Sequence, residues 1–395
     1  MNVRYQPIPE SDYDAYVRTE AHAFVAEPQD ARRWLAERHT GDMRGLFVDG
    51  RLVAQLLLLP LQVGAGRVNL SCGGLGGVAS PPEERRHGYV ARLLRETCDE
   101  LRANDTALCL LYPFKASFYG RYGWATCMER RRYSGSPELF APFRKQLHGR
   151  FEPAGIEAVD DFQKIYSGAL RGRFGPIVRT PAWWEKEVLT EHKKTRYNYI
   201  WRDESGEARS YVCYSWEQRP TGTTMACREI VALDPEARAQ LFGFVTNHDA
   251  QCKDVVFHAP ADAPVNLLMP DPLECKAEPY FMLRLVDVAA ALSSLRYPGD
   301  LRGRLTIAVT DDWLEHNNGT FALEVGDGTA TCARLPDAAE ADLACDVRVL
   351  AQIFTRYLRP RTAAAFGMLA VNKQPALALL NQLFAGLAPF SSVFF

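Results

Sequence analysis

Two short segments of this chain concentrate residue types that can do chemistry. The first is Glu84-Arg85-Arg86-His87-Gly88-Tyr89-Val90, which follows the glycine-rich stretch ending at Val78, Ala79 and Ser80. A loop of this kind between a strand and a helix leaves free N–H groups at the helix start. A phosphate or pyrophosphate can be held there by backbone donors and the helix dipole. Gly88 permits close approach of the anion, and Arg85 and Arg86 offer charge-assisted hydrogen bonds. The competing reading is a solvated, charged helix cap. No GKS or GKT follows, so this is not a P-loop, and the glycines are too few for a dinucleotide fingerprint. The second segment, Phe118-Tyr119-Gly120-Arg121-Tyr122-Gly123-Trp124, is an aromatic cluster of a kind that usually packs cores.

The elements around these segments follow from periodicity. Gly45 to Leu59 reads as a hairpin turning at Asp49-Gly50, and a third strand is expected over 67–72. Val90, Leu93, Leu94, Thr97, Cys98 and Leu101 recur every three or four residues, an amphipathic helix of about four turns. Ala107 to Leu111 is a short buried strand. Ser11 and Asp14 suggest a capped helix start before Asp12 to Ala23. The order hairpin, strand, loop, helix, strand describes one mixed α/β unit ending near residue 146. From about 155 the same rough order returns without a second Arg-Arg-His-Gly loop, which suggests a duplicated fold with a silenced second copy. A third unit of strands and helices starts near 288, and no low-complexity linker separates the units.

Length and composition agree with this division. At 395 residues, two or three domains of about 150 residues are expected. With 46 basic and 48 acidic residues, no global charge draws the chain to nucleic acid or an acidic membrane. The ten cysteines are scattered singly, so they are expected to be reduced, buried and inert, with no cysteine zinc site and no catalytic nucleophile. The N-terminus lacks an apolar signal core, and the longest apolar run, Leu56 to Leu61, is broken at Pro60. A cytoplasmic protein is expected.

The first segment resembles the coenzyme A pyrophosphate motif of the GNAT superfamily of N-acetyltransferases. The second resembles the tyrosine-glycine-arginine-aromatic-glycine segment of the enhanced intracellular survival (Eis) family within it. The two motifs stand in that order about thirty residues apart, and the resemblance extends over essentially the whole chain. It implies an α+β (mixed α/β) fold with tandem GNAT units, the second degenerate, and a C-terminal sterol-carrier-like α/β domain. The corresponding boundaries are 1–146, 147–287 and 288–395.

The resemblance further implies acetyl transfer from acetyl-CoA, as cosubstrate and without a metal, to a primary amine of a polyamine- or aminoglycoside-like acceptor. Val78, Ala79 and Ser80 would hold the pantetheine and acetyl carbonyl, with the Val78 N–H as oxyanion donor. Arg85, Arg86, His87, Gly88, Tyr89 and Val90 would bind the pyrophosphate. Tyr119 would be the general acid for the thiolate, and the terminal carboxylate of Phe395 the general base. Acceptor contacts would come from Phe24, Glu27 and Trp34. For these three, core packing and a solvated helix end remain the alternative. His22 is a further candidate, and a lone histidine there reads equally as structure. Lys115, just upstream of Tyr119, would repel a cationic acceptor. A homo-oligomer, hexameric by resemblance, is implied as well. Two other readings compete: a non-catalytic module that binds CoA or another ligand, and a hydrophobic-ligand carrier working through the C-terminal domain.

Overall fold

Asp49 and Gly50 take φ values of 48° and 82°, the left-handed pair that a tight hairpin needs. They join β2 (Met43–Val48) to β3 (Arg51–Ala65). The computed structural model describes residues 2–36, 42–145, 147–190, 195–220, 222–336 and 339–392. β1 (Val3–Pro7) pairs outside β2, and β3 turns at Gly66 into the antiparallel β4 (Val68–Ala79). β5 (Leu108–Leu111) then lies parallel to β4, and β6 (Ala125–Thr126) stands at the far edge of this sheet.

Four helices matter for the site: α1 (Tyr13–Ala23), α2 (Pro28–Ala36), α3 (Tyr89–Ala103) and α4 (Ala116–Gly120). The apolar stripe of α3 is buried on the sheet as its period requires, through Leu93, Leu94, Thr97, Cys98 and Leu101. The start of α1 differs from expectation. Ser11 does not cap it; its hydroxyl donates to the Asp12 carboxylate at 3.2 Å, and a short 3₁₀ turn over Glu10–Asp12 leads into the helix. That turn places Asp12, not Ser11, at the helix boundary.

The second sheet begins with β7 (Glu129–Gly135) and β8 (Arg150–Pro153). β9 (Phe174–Ile177) returns to the first sheet beside β3. Then come β10 (Tyr197–Arg202), β11 (Ala208–Arg219), β12 (Gly222–Ala232), β13 (Asp254–Pro260) and β14 (Glu274–Pro279). The order across this sheet is β14-β7-β13-β12-β11-β10-β8. β15 (Met282–Leu285) crosses back into the first sheet, between β5 and β6. The third sheet, in the order β18-β17-β16-β19-β20, takes β16 (Gly303–Thr310), β17 (Gly319–Gly326), β18 (Thr329–Arg334), β19 (Leu343–Asp346) and β20 (Leu369–Val371).

Three strands therefore cross the expected boundaries at 146 and 287, one of them β9, which lies in the second unit and pairs with β3 of the first sheet. β7 leaves the first unit for the second sheet, and β15 leaves the second unit to complete the first. One apolar cluster runs from the first sheet through β15 into the third unit, joining Leu59, Leu283, Leu305 and Ile353. Chain order and sheet membership part here because each crossing strand buries its backbone in an existing sheet, where its hydrogen bonds are satisfied.

Of the ten cysteines all are free, eight are buried, Cys332 is half-buried and Cys275 is exposed. Among the described residues no helix is long and apolar enough to cross a membrane.

Candidate active site

β4 and β5 stay paired only from Gly73 with Cys109 to Leu75 with Leu111. Beyond Leu75 they part, so one edge of Gly76 to Ala79 faces a cleft instead of a neighbouring strand. On its other edge β4 carries a bulge: Leu57 pairs with Gly76 and Gln55 with Ala79, leaving one extra residue on the β4 side. A bulge redirects the local backbone groups. Val78 is half-buried there, and Ala79 and Ser80 follow it.

Past β4 the chain reaches the start of α3. Gly88 is the N-cap, with φ 81°, and no side chain caps the helix. A Cβ on Gly88 would meet nothing within 4 Å. The backbone angle, not crowding, therefore selects glycine there. The first-turn N–H groups at Tyr89 and Val90 have no intrahelical acceptor, which leaves a donor set open to an anion. Arg85, Arg86 and His87 are exposed beside it, Arg86 in the left-handed region at φ 68°. Arg85 Nη2 lies 3.5 Å from His22 Nδ1, so the end of α1 borders this loop. These groups suit a pyrophosphate: open N–H donors, guanidinium charge and no acidic side chain at the cap.

The second unit also starts a helix after a strand, with a different cap: Asp234 is extended, at φ -153°, where Gly88 is left-handed. The helix Pro235–Thr246 is capped by Asp234, whose carboxylate accepts from the Ala237 N–H at 2.9 Å and from Arg209 at 2.8 Å. A built-in carboxylate occupies the place an anion would take, so this helix start is self-satisfied.

α4 carries Tyr119, which is 3% exposed. Its ring stands edge-on to Phe118 and Phe114 at 5.1 and 5.6 Å, with Trp124 at 6.3 Å. Burial pushes the Tyr119 hydroxyl well above the ordinary tyrosine range, so the phenol stays protonated through neutral pH. Gly123, the second glycine of the aromatic segment, has φ 83°, and a Cβ there would stand 2.3 Å from Arg284 Nη1. Arg284 is fully buried and ion-paired to Asp311 of the third unit. The glycine thus admits a guanidinium that locks the Tyr119 turn to the C-terminal domain.

Sequence reading missed one group. Glu20 on α1 is 5% exposed, and its carboxylate lies against Gly77. Gln55 Nε2 donates to it at 3.4 Å and to the Tyr16 carbonyl at 3.1 Å. The buried Tyr16 hydroxyl and Gln55 Oε1 have no hydrogen-bond partner among the described residues. Burial raises the Glu20 carboxyl to about 7, so it exchanges a proton near neutrality beside the cleft strand. In sequence it is one acid on a mixed helix; only its contact with a glycine bulge distinguishes it.

The expected acceptor residues stand on the surface of the first unit. Phe24 closes α1 and is 54% exposed, Trp34 on α2 is 37% exposed, and Glu27 is exposed between them. They form a surface segment, joined to the loop through His22. Lys115, the residue before α4, is exposed. Phe395 lies outside the described residues. The chain leading to it is held firmly: the Phe390 N–H donates to the Phe174 carbonyl at 2.9 Å, and Arg179 Nη2 donates to Ser392 Oγ at 3.0 Å. Ser392 in turn donates to Glu229, which forms a fully buried ion pair with Arg179.

Among the described residues no cluster of His, Cys, Asp and Glu could hold a metal ion.

Comparison with known proteins gives two GNAT domains followed by a sterol carrier domain. Residues 4–127 match an acetyltransferase (GNAT) domain family, residues 175–285 a second acetyltransferase (GNAT) domain family, and residues 288–392 a sterol carrier protein domain. The N-acetyltransferase Eis of Mycobacterium tuberculosis is 26% identical over 347 residues, covering 83% of this chain and 82% of that protein. An uncharacterized N-acetyltransferase of Streptomyces coelicolor is 27% identical over 335 residues, 79% of this chain and 78% of that protein. In structure, a GNAT protein of Anabaena variabilis superposes with a TM-score of 0.89 at 23% identity, and Eis1 of Mycobacterium abscessus with 0.81 at 20%. Both alignments cover all of each chain. The fold is that of acetyl-CoA-dependent acyl transfer, with acetyl-CoA as cosubstrate. Two GNAT units and a sterol-carrier-like domain in one chain, matched over most of its length, make this a GNAT-fold acetyltransferase related to the Eis family.

Proposed function

We propose that the chain transfers the acetyl group of acetyl-CoA to a primary amine of a small acceptor by direct attack. The observation that carries this reading is the parting of β4 and β5 at Leu75 and Leu111, between an anion-ready helix start and a buried, protonated tyrosine. Arg85, Arg86, His87, Gly88, Tyr89 and Val90 bind the pyrophosphate, and Val78, Ala79 and Ser80 align the pantetheine arm. The amine nitrogen adds to the acetyl carbonyl, and the Val78 N–H stabilises the resulting oxyanion. The carbon–sulfur bond then breaks, and the departing thiolate takes its proton from Tyr119. The amine's proton goes to the terminal carboxylate of Phe395. A carboxylate has an ordinary pKa of about 3.5, so desolvation or a water relay must raise its basicity.

The acceptor class implied by resemblance is a polyamine or aminoglycoside, engaged by Phe24, Glu27 and Trp34, and the implied assembly is a homohexamer. Release of free CoA with a panel of amines tests the reaction: turnover is expected with a primary amine and none with its N-acetyl derivative. Acetyl-CoA binding without CoA release for any amine would leave a binding module. Residues appended after Phe395 are expected to abolish turnover and spare acetyl-CoA binding. Light scattering on the eluting protein gives the assembly.

A further inference from the structure

Away from the acyl-transfer cleft, the first and second units frame a cavity of about 730 Å³ that no step above uses. One wall is the tip of the β3–β4 hairpin, from Gly64 to Asn69. The other is the end of the helix Val159–Ala169 and the chain that follows it into β9. Val68 and Ala79 are the two ends of β4, so the cavity stands on the order of 30 Å from the bulge at the cleft.

The two walls are fixed to each other. Val63 pairs with Ile177 and Ala65 with Phe174, and the Gly66 N–H donates to the Arg173 carbonyl at 3.1 Å. Arg356 of the third unit bridges them. Its Nη1 donates to the Gly172 carbonyl at 2.9 Å, and a Cβ on Gly66 would stand 3.0 Å from its Nη2.

Charge in this cavity is one-sided. Arg67, Arg171 and Arg173 line it, whereas no acidic residue and no residue of the C-terminal tail does. Arg173 is neutralised by Asp262 at 2.7 Å and also holds the Ala388 carbonyl. Arg67 and Arg171 are exposed, and their side chains make no hydrogen bond or ion pair among the described residues. Arg356 has no ion pair there either. Burial holds its guanidinium below the ordinary arginine range; Tyr297 opposes the shift and the neighbouring Arg67 adds to it. Two like charges thus meet at the Gly66 turn, and an anion beside them would attract both.

The neutral part of the lining suits the rest of a ligand. Gln163 Oε1 accepts from the Trp184 indole N–H at 2.8 Å, so the amide NH2 is the end left to donate. Leu170, Pro176 and Ile177 supply an apolar surface. Guanidinium charges from Arg67, Arg171 and Arg356 match a dianionic phosphate better than a single carboxylate. The volume leaves room for an organic body beyond it.

We propose that this cavity binds an organic phosphate, with its phosphate held by Arg67 and Arg171 and its body lying on Leu170, Pro176 and Ile177. The site is separate from the acetyl-CoA cleft and stands or falls independently of the acetyl-transfer reading.

The test uses the full chain carrying Arg85→Gln and Arg86→Gln, which takes the side-chain cations away from the loop before α3. Phenyl phosphate and AMP are titrated into it calorimetrically, alongside inorganic phosphate, phenol and adenosine. Both esters are expected to bind at one site per chain, about tenfold or more tightly than inorganic phosphate, with phenol and adenosine weaker still. Arg67→Gln and Arg171→Gln, added singly, should each weaken the esters by about tenfold, and lysine at either position should restore part of the loss. Both side chains are exposed, so the melting temperature is expected to stay that of the parent. Failure of both esters to bind, an unchanged affinity in either glutamine variant, or inorganic phosphate binding as tightly as the esters overturns the proposal.

Discussion

The carboxylate of Glu20 lies 3.0 Å from the point where a Cβ on Gly77 would stand, and Gly77 holds φ at 55°. Both facts demand glycine at the residue before Val78, one for space and one for backbone angle. Gly77→Ala is expected to cost about 1–3 kcal/mol of stability. It should also raise the KM for acetyl-CoA, because the bulge beside the cleft must shift. Denaturant titration together with acetyl-CoA kinetics checks both halves.

Glu20 gives a signed pH prediction. Burial raises its carboxyl from the ordinary 4.5 to about 7, so the folded state holds a proton that the unfolded chain releases. The associated stability is complete below pH 4.5 and is lost as pH rises through 7, by about 3 kcal/mol in all. Glu20→Gln should remove this decline. The variant is expected to be more stable than the parent at pH 8 and to differ little near pH 4. Melting curves across that range suffice, and a parallel decline in both proteins would remove Glu20 as its source.

Tyr119 is buried among three aromatic rings that hold its position without its hydroxyl. Tyr119→Phe keeps that packing and removes only the proton donor. kcat is expected to fall by about 10²-fold or more, with acetyl-CoA affinity and melting temperature nearly unchanged. A comparable loss in stability would instead mark the residue as structural.

The Arg284–Asp311 pair is buried on both sides. Arg284→Ala leaves the Asp311 charge without its partner and should destabilise the chain by about 3–5 kcal/mol. Replacing both residues with apolar ones of similar volume should recover much of that loss. A double-mutant cycle by denaturation measures the difference.

Much of the fold was legible because its signals are local. The Asp49-Gly50 turn, the stripe of α3 and the short buried strand ending at Leu111 are patterns within a single segment. The anion-site reading of Glu84 to Val90 likewise rests on residue types adjacent in sequence. Other features depend on contacts no window contains. β7 opens with Glu129 and three arginines, a run of charge with no strand pattern of its own; its pairing with β13 and β14 makes it an interior strand. β15 has four buried residues, Arg284 included, and so shows no alternation. Glu20 and Gly77 are 57 positions apart in sequence, and neither is unusual alone.

The route of β15 also sets a schedule. Leu111 ends β5, but its partner Met282 is made about 170 residues later. At ribosomal speeds of about 5–20 residues per second, the wait lasts on the order of ten to thirty seconds. Until then the strand beside the cleft has a bare edge, and a nascent chain stalled at its first unit would offer that edge to other chains. Acetyl transfer is therefore expected to appear only after synthesis has passed Leu285, however early the motif residues themselves emerge.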